Sequence, residues 1–263
     1  MSSFPVLRRV LQSRRRPLSI WTVALGGVCG MYTSLYPMME KVNLQEMMEA
    51  LPPAMVEALG YDDMTSAAGY VGSATYGLVA MALLLVFGIG NGAKILAGHE
   101  EAGDLELELT SPLSRQTIYA QRLAALWVQI SVLVAMVLLV TLVLNAAQSL
   151  GIPLDDLMAG TLGLWLLTGL FGSLAFAVGA ATGRRAVALG VAAGAAVVGW
   201  MFNAIGPTVG VDWMSAVSPL GWYMADNPLT RGFQPLGSSL LAVTTVVVLV
   251  AGWMRFLRRD LMT

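Results

Sequence analysis

Six stretches of this chain are long and apolar enough to cross a lipid bilayer, and no fold is admissible that leaves them in water. They lie near 18–39, 70–93, 124–146, 158–182, 186–206 and 238–257. About 20 apolar residues in a helix traverse the hydrocarbon core. Continuous apolar runs specify helices, because barrel strands would alternate lipid-facing and lumen-facing residues. Only Gly183, Arg184 and Arg185 separate the fourth run from the fifth, so these two form a tight helical hairpin. Charged residues make up 12% of the 263, against about a quarter in soluble domains. The expected fold is therefore an all-α integral membrane protein, with residues 1–263 forming one transmembrane domain.

Charge placement predicts the orientation. With both termini cytoplasmic, the inside carries Arg8, Arg9, Arg14, Arg15, Arg16, Lys94, Arg115, Arg122, Arg184, Arg185, Arg255, Arg258 and Arg259. The outside then keeps only Lys41 and Arg231. This is a strong positive-inside bias and agrees with an even number of spans. The first apolar run is membrane-length and no small-residue cleavage site clearly follows it, so a retained span is expected rather than a signal peptide. A plasma membrane, in particular a bacterial inner membrane, is the expected location. Cys29, the single cysteine, lies in the first span; it has no intramolecular disulfide partner and reads as a packing residue.

The segments between spans carry further signals. In "FPVLRRVLQSRRR" (4–16), Val6, Leu7, Val10 and Leu11 share one helical face among arginines. This predicts an N-terminal interfacial elbow helix within 1–17, apolar side towards lipid and held by anionic headgroups. The first outer loop, about 40–69, is expected to form two short helices broken at Pro52 and Pro53. Its neighbourhood holds Met38, Met39, Met47, Met48, Met55 and Met64. Thioethers bind soft metals, but no His or Cys joins them, so apolar packing is the preferred reading. The last outer loop, about 207–237, contains Trp213, Trp222, Tyr223 and Phe233 among prolines and glycines. Interfacial aromatics and short re-entrant helices before the sixth span are expected, if protein covers their backbone.

Absent chemistry narrows the function. No Asp, Glu, Lys or His falls within the six assigned spans, and Arg255 near the end of the last can snorkel. Ion-coupled carriers usually keep ionisable residues at membrane depth, which disfavours a standalone carrier. No G-x-x-x-x-G-K-[ST] phosphate loop is present, so ATP is not bound in that way. "GIGNG" (88–92) closes an apolar run and reads as packing or kink glycine. His99 is the sole histidine, which excludes a His-pair zinc site. Catalysis by this chain is not expected, nor is a resident cofactor, a metal or nucleic-acid binding.

Between the second and third spans lies "GHEEAGDLELELTSPLSR" (98–115), which is acidic and expected to be cytoplasmic. Glu100 to Leu109 fits one helix, with Ala102, Leu105 and Leu109 on one face and Glu101, Asp104 and Glu108 mainly on another. Gly103 weakens it. Ser111 is the expected cap and Pro112 the first residue of a following helix that runs into the third span. A short helix, a sharp corner and a helix entering the membrane would pass force to both adjoining spans.

This stretch resembles the "EE-x-G-T-L-E-L-L-L-x-x-P-[VL]-S-R" segment of ABC-2-type ABC transporter permeases. "LPPAMVEALG" (51–60), "SPLGWYMADNPLTRGF" (218–233) and the ending "RFLRRDL" (255–261) are similar to further parts of the same family, in the same order. Asp104 stands where the family usually has Thr, and Glu108 at a usually apolar position. The resemblance implies a permease subunit of an exporter, paired with a second copy in a two-plus-two complex with two ATPase subunits. ATP and Mg would sit in those partners. Glu100, Glu101, Gly103, Asp104, Leu105, Glu106, Leu109, Pro112 and Arg115 would then form the ATPase-coupling element. The second and fifth spans would line the path, which points to Tyr76, Leu83, Phe87, Met201, Phe202 and Asn203. Their apolar character suits a drug-like, antibiotic or lipophilic cargo. Sodium export within the family, or a non-transporting scaffold recruiting a cytoplasmic protein, are the competing expectations.

Overall fold

The computed structural model describes residues 5–39, 66–101, 114–224 and 227–258, and among them the regular structure is entirely helical. Helix α1 is Pro5–Ser13. Five of the six membrane-length helices follow as α2 (Arg15–Met39), α3 (Ala67–Gly98), α4 (Arg115–Gln148), α5 (Leu154–Thr182) and α6 (Arg185–Thr208). Three short helices, α7 (Asp212–Val217), α8 (Pro219–Met224) and α9 (Pro228–Arg231), precede the last, α10 (Pro235–Arg258). Six membrane-length helices are thus present at the expected places, the third beginning nine residues earlier than expected, at Arg115, and the others longer by a few residues.

Local chemistry sets the helix ends. Ser66 Oγ accepts from the Gly69 amide at 2.9 Å and starts α3. Helix α4 begins at Arg115 because Ser114 is its cap, with Oγ accepting from the Thr117 amide at 3.2 Å. The expected capping pair Ser111–Pro112 lies outside the described residues, and the helix that enters the third span starts at Ser114 instead. Ser114 supplies an oxygen three residues before an unpaired N–H, as a cap requires. Asn145 closes the α4–α5 turn by donating to the Ile152 carbonyl at 2.9 Å and accepting its amide at 3.1 Å. Gly183, at φ 69°, ends α5 in the left-handed conformation that favours glycine. The hairpin expected at 183–185 forms there.

Helix α5 is the hub, packed by α3, α4, α6, α9 and α10. In its apolar window 78% of residues are buried, against 22% in α2, α6 and α10. It carries Gly160, Gly163, Gly169 and Gly172, whose missing side chains admit neighbours. Gly172 meets Gly88 and Gly92 of α3, so the "GIGNG" segment packs helix on helix. This small-residue contact is a common solution in lipid, where close backbone approach replaces the hydrophobic drive. Helix α3 is unusual in having π-helical runs at Val71–Ala80 and Lys94–Gly98.

Two expectations about the periphery change. Helix α1 forms and is amphipathic, but its apolar face is turned into the protein: Val6 and Val10 are buried, and Leu7 and Leu11 pack on the core. The Val6 and Leu7 amides both donate to Gln121 Oε1 of α4, at 2.9 and 3.1 Å. A helix start has unpaired N–H groups, and Gln121 supplies the acceptor that docks this one. Among the outer aromatics, Trp213 and Phe233 are exposed while Tyr223 is buried. Tyr223 lies against Gly163, and its hydroxyl donates to the Tyr76 carbonyl at 3.4 Å. It leaves the interfacial set because α8 is packed on α5 and α6 as well as α10.

Candidate functional site

The two ends of the acidic insert emerge from α3 and α4. A last helical turn, His99–Glu101, continues α3, and Arg115 opens α4. Gly103, Asp104, Leu105, Glu106, Leu109 and Pro112 lie outside the described residues. Of the expected coupling residues, the structure therefore places Glu100, Glu101 and Arg115.

Glu101 does more than lead into the insert. Its Oε1 accepts the backbone N–H of Arg185 at 2.8 Å, at the first residue of α6. That N–H has no partner within its own helix, and a carboxylate also complements the positive helix start. The insert is thereby attached to three membrane helices: covalently to α3 and α4, and through Glu101 to α6. A second tie sits beside it. Arg122 of α4 is fully buried and donates to the Ile95 carbonyl in the terminal π-run of α3. Arg122, expected on the cytoplasmic side before the third span, belongs to a helix continuous from Arg115 to Gln148. At 34 residues and 1.5 Å each, α4 is about 51 Å long, well beyond the hydrocarbon core.

Tyr119 completes this end of the bundle. Its hydroxyl donates to the Leu249 carbonyl at 2.9 Å, and its ring lies 4.9 Å from Phe176 and 5.7 Å from Phe256. Helices α4, α5 and α10 are joined there by one side chain. Near the junction of α1 with α2, Arg14 is partly buried; burial first, then the nearby Arg185, holds its pKa below the ordinary arginine value.

The six candidate path residues do not form one surface in the protomer. Tyr76 is fully enclosed, its hydroxyl 3.1 Å from Thr161 Oγ1. Phe87 is buried edge-on against Trp21, and Leu83 is half-buried. Phe202 is half-buried and meets Trp213 edge-on, while Asn203 Nδ2 donates weakly to Met224 Sδ at 3.8 Å. Met201 alone of the six is widely exposed, beside exposed Val197, Val198, Trp200 and Ile205 on α6. Groups of His, Cys, Asp and Glu fit to hold a metal do not occur among the described residues. The methionine-rich outer loop lies mostly outside them.

Sequence reasoning missed Gln121, Arg122, Arg185 and Asn227 as structural contacts. For the first two a signal exists: Ile118, Gln121, Arg122, Ala125 and Gln129 recur at three- and four-residue spacing along the face that α4 buries. For Arg185 and Asn227 the partner is remote in sequence.

A family model described as ABC-2 family transporter protein matches residues 10–261. No curated protein and no solved structure matches the chain.

Proposed function

We propose a function from the premise that this chain belongs to the ABC-2 transporter family. It is a multi-pass membrane protein and the permease component of an ABC transporter. On that premise, it forms half of an exporter path and is driven by a separate ATPase subunit that binds ATP and Mg. Two copies in a two-plus-two complex would place the exposed faces of α6 beside a shared axis. The cargo class that suits Leu83, Phe87, Met201 and Phe202 is drug-like, antibiotic or otherwise lipophilic. The arginine-rich end of the bundle faces the cytoplasm of a bacterial inner membrane, by the positive-inside bias.

One observation carries the coupling role: Glu101, at the start of the acidic insert, is seated on the first N–H of α6. A displacement of the insert by an ATPase would reach the second and third spans through the chain and the fifth through this bond. Interfaces packed this closely switch between discrete arrangements rather than deform gradually.

The test is co-purification with an ATPase subunit, followed by ATP-driven transport in proteoliposomes. Leu105→Asp, on the apolar face that the residue spacing predicts for the insert, should abolish assembly or lower ATP-driven transport by about tenfold, the loss of roughly 1.4 kcal/mol of coupling. Glu101→Arg should do the same and also loosen α6. If Leu105→Asp leaves both assembly and transport intact, the coupling assignment is wrong. A complete complex with neither cargo movement nor cargo-stimulated ATP hydrolysis would instead make the chain a scaffold.

A further inference from the structure

A cavity of about 160 Å³ opens between α2 and α3, close to the end of the bundle that carries the acidic insert. At roughly 30 Å³ per water it holds about five waters' worth of volume. Its walls divide by chemistry. Trp21, Phe87 and Val86 supply an apolar side, and Val86 is 61% exposed where the cavity meets the outside of the bundle. Asn91 and Gln129 supply a polar side, with Asn91 Nδ2 donating to Gln129 Oε1 at 2.8 Å. Arg14 and Lys94 complete the lining.

The charged side chains that line this cavity are both basic. Arg14 feels Arg185, and Lys94 feels Arg14 and Arg185. The stems of Lys94 and Arg185 both lie against Gly98, within 4 Å of its Cβ direction. Arg14 from the α1–α2 junction and Lys94 from α3 therefore line the slot together, whereas the nearby Arg185 has the Glu101 carboxylate on its own backbone N–H. Arg14 is half-buried while Lys94 is exposed, and a half-buried cation beside a second one favours an accompanying anion.

We propose that this cavity binds the phosphate-bearing headgroup of an anionic membrane lipid, with Arg14 and Lys94 on the phosphate and an acyl chain running out along Val86. A free phosphate would satisfy the cations but leave the apolar wall of Trp21, Phe87 and Val86 uncovered. A zwitterionic lipid brings its own cation into a cluster that already has an excess. The site shares Phe87 with the candidate cargo path, but lipid retention is read without transport or ATP hydrolysis and so tests it independently of the proposed function.

The experiment is lipid retention by the full chain, extracted from vesicles of equal phosphatidylglycerol and phosphatidylcholine and analysed by native mass spectrometry. Wild type should retain phosphatidylglycerol selectively. Arg14→Gln and Lys94→Gln should each lower that retention about fivefold, the effect of roughly one surface cation. Gly90→Leu provides a charge-independent arm: Gly90 lines the cavity and a Cβ there meets nothing within 4 Å, so a side chain added there starts in open space and occupies the cavity. It should abolish retention while thermal unfolding stays cooperative. Arg255→Gln with Arg258→Gln, at the same end but away from the cavity, should leave retention unchanged. Equal retention of both lipids, equal loss in the Arg255/Arg258 pair, or full retention in Gly90→Leu would each overturn the proposal. Displacement of the lipid by millimolar inorganic phosphate would assign the site to a free anion instead.

Discussion

Gly72 lacks a side chain where Asn227 needs the space. A Cβ at Gly72 would stand 2.1 Å from Asn227 Oδ1 and 2.5 Å from its Nδ2. The same amide donates to the Gly69 carbonyl at 3.4 Å and accepts the Leu229 N–H at 3.2 Å, so one side chain both caps α9 and seats it on α3. Gly72→Ala should lower the unfolding temperature of the detergent-purified protein, at a cost of about 1–3 kcal/mol. Adding Asn227→Ala should recover part of that loss, since it removes the clashing atoms; an unchanged midpoint in Gly72→Ala alone would refute the seat. Arg122→Ala should also destabilise, by about 1–3 kcal/mol, because the Ile95 carbonyl loses its donor in a buried place. Ser173 is the opposite case: its hydroxyl is buried with no hydrogen-bond partner among the described residues. Ser173→Ala should leave the midpoint unchanged or raise it, and a clear drop would mean that the hydroxyl has a partner. The spacing along α4 marks Arg122 as belonging to the buried face, but the partner in each of these three roles was not legible, since each depends on a neighbour more than 25 positions away or on the absence of one.

At the scale of the element, the second membrane-length helix shows two unlike faces within three residues. A Cβ on Gly92 would lie 2.2 Å from the Gly172 carbonyl oxygen, which is backbone and cannot rotate aside, whereas a Cβ on Gly90 meets open space. Gly92→Ala should therefore force α3 and α5 apart and reduce the yield of folded protein, for a cost of about 1–3 kcal/mol. Gly90→Ala should be tolerated, with a change within about 1 kcal/mol in either direction. Paired thermal melts decide the matter, and equal effects would contradict the close α3–α5 approach. The glycines of 88–92 were readable as packing residues from composition, but which glycine faces the neighbour was not. Helix α1 teaches the same lesson. Its apolar face was plain from the spacing of Val6 and Val10, while its partner was decided by Gln121, whose side chain accepts two amides at the helix start. The cap of α4 shifted from the expected serine to Ser114 because cap choice depends on backbone geometry as well as residue type.

For the whole molecule, the orientation is open to direct labelling. Cys29 is fully buried, so the native thiol is shielded in the folded protein. Val209→Cys, at an exposed position after α6, should react with a membrane-impermeant maleimide in intact cells. Thr182→Cys, exposed at the end of α5 that bears Gly183 and Arg184, should react only after permeabilisation. The reverse pattern would invert the topology. The sequence by itself determined the class, the six crossings, the hairpin at 183–185, the bias of charge to one end and the family likeness. Each of these is a local property, readable from apolar run length and from where arginines interrupt it. Only the tertiary structure decided that α5 is the hub, that Tyr76 is enclosed, that α8 and α9 are packed inward and that Glu101 holds the start of α6. The physical reason is the solvent: the spans are apolar over most of their surface, because lipid and protein interior reward the same residues. Hydrophobic periodicity then no longer tells inside from outside, and small residues, buried polar pairs and unpaired helix ends choose the neighbours.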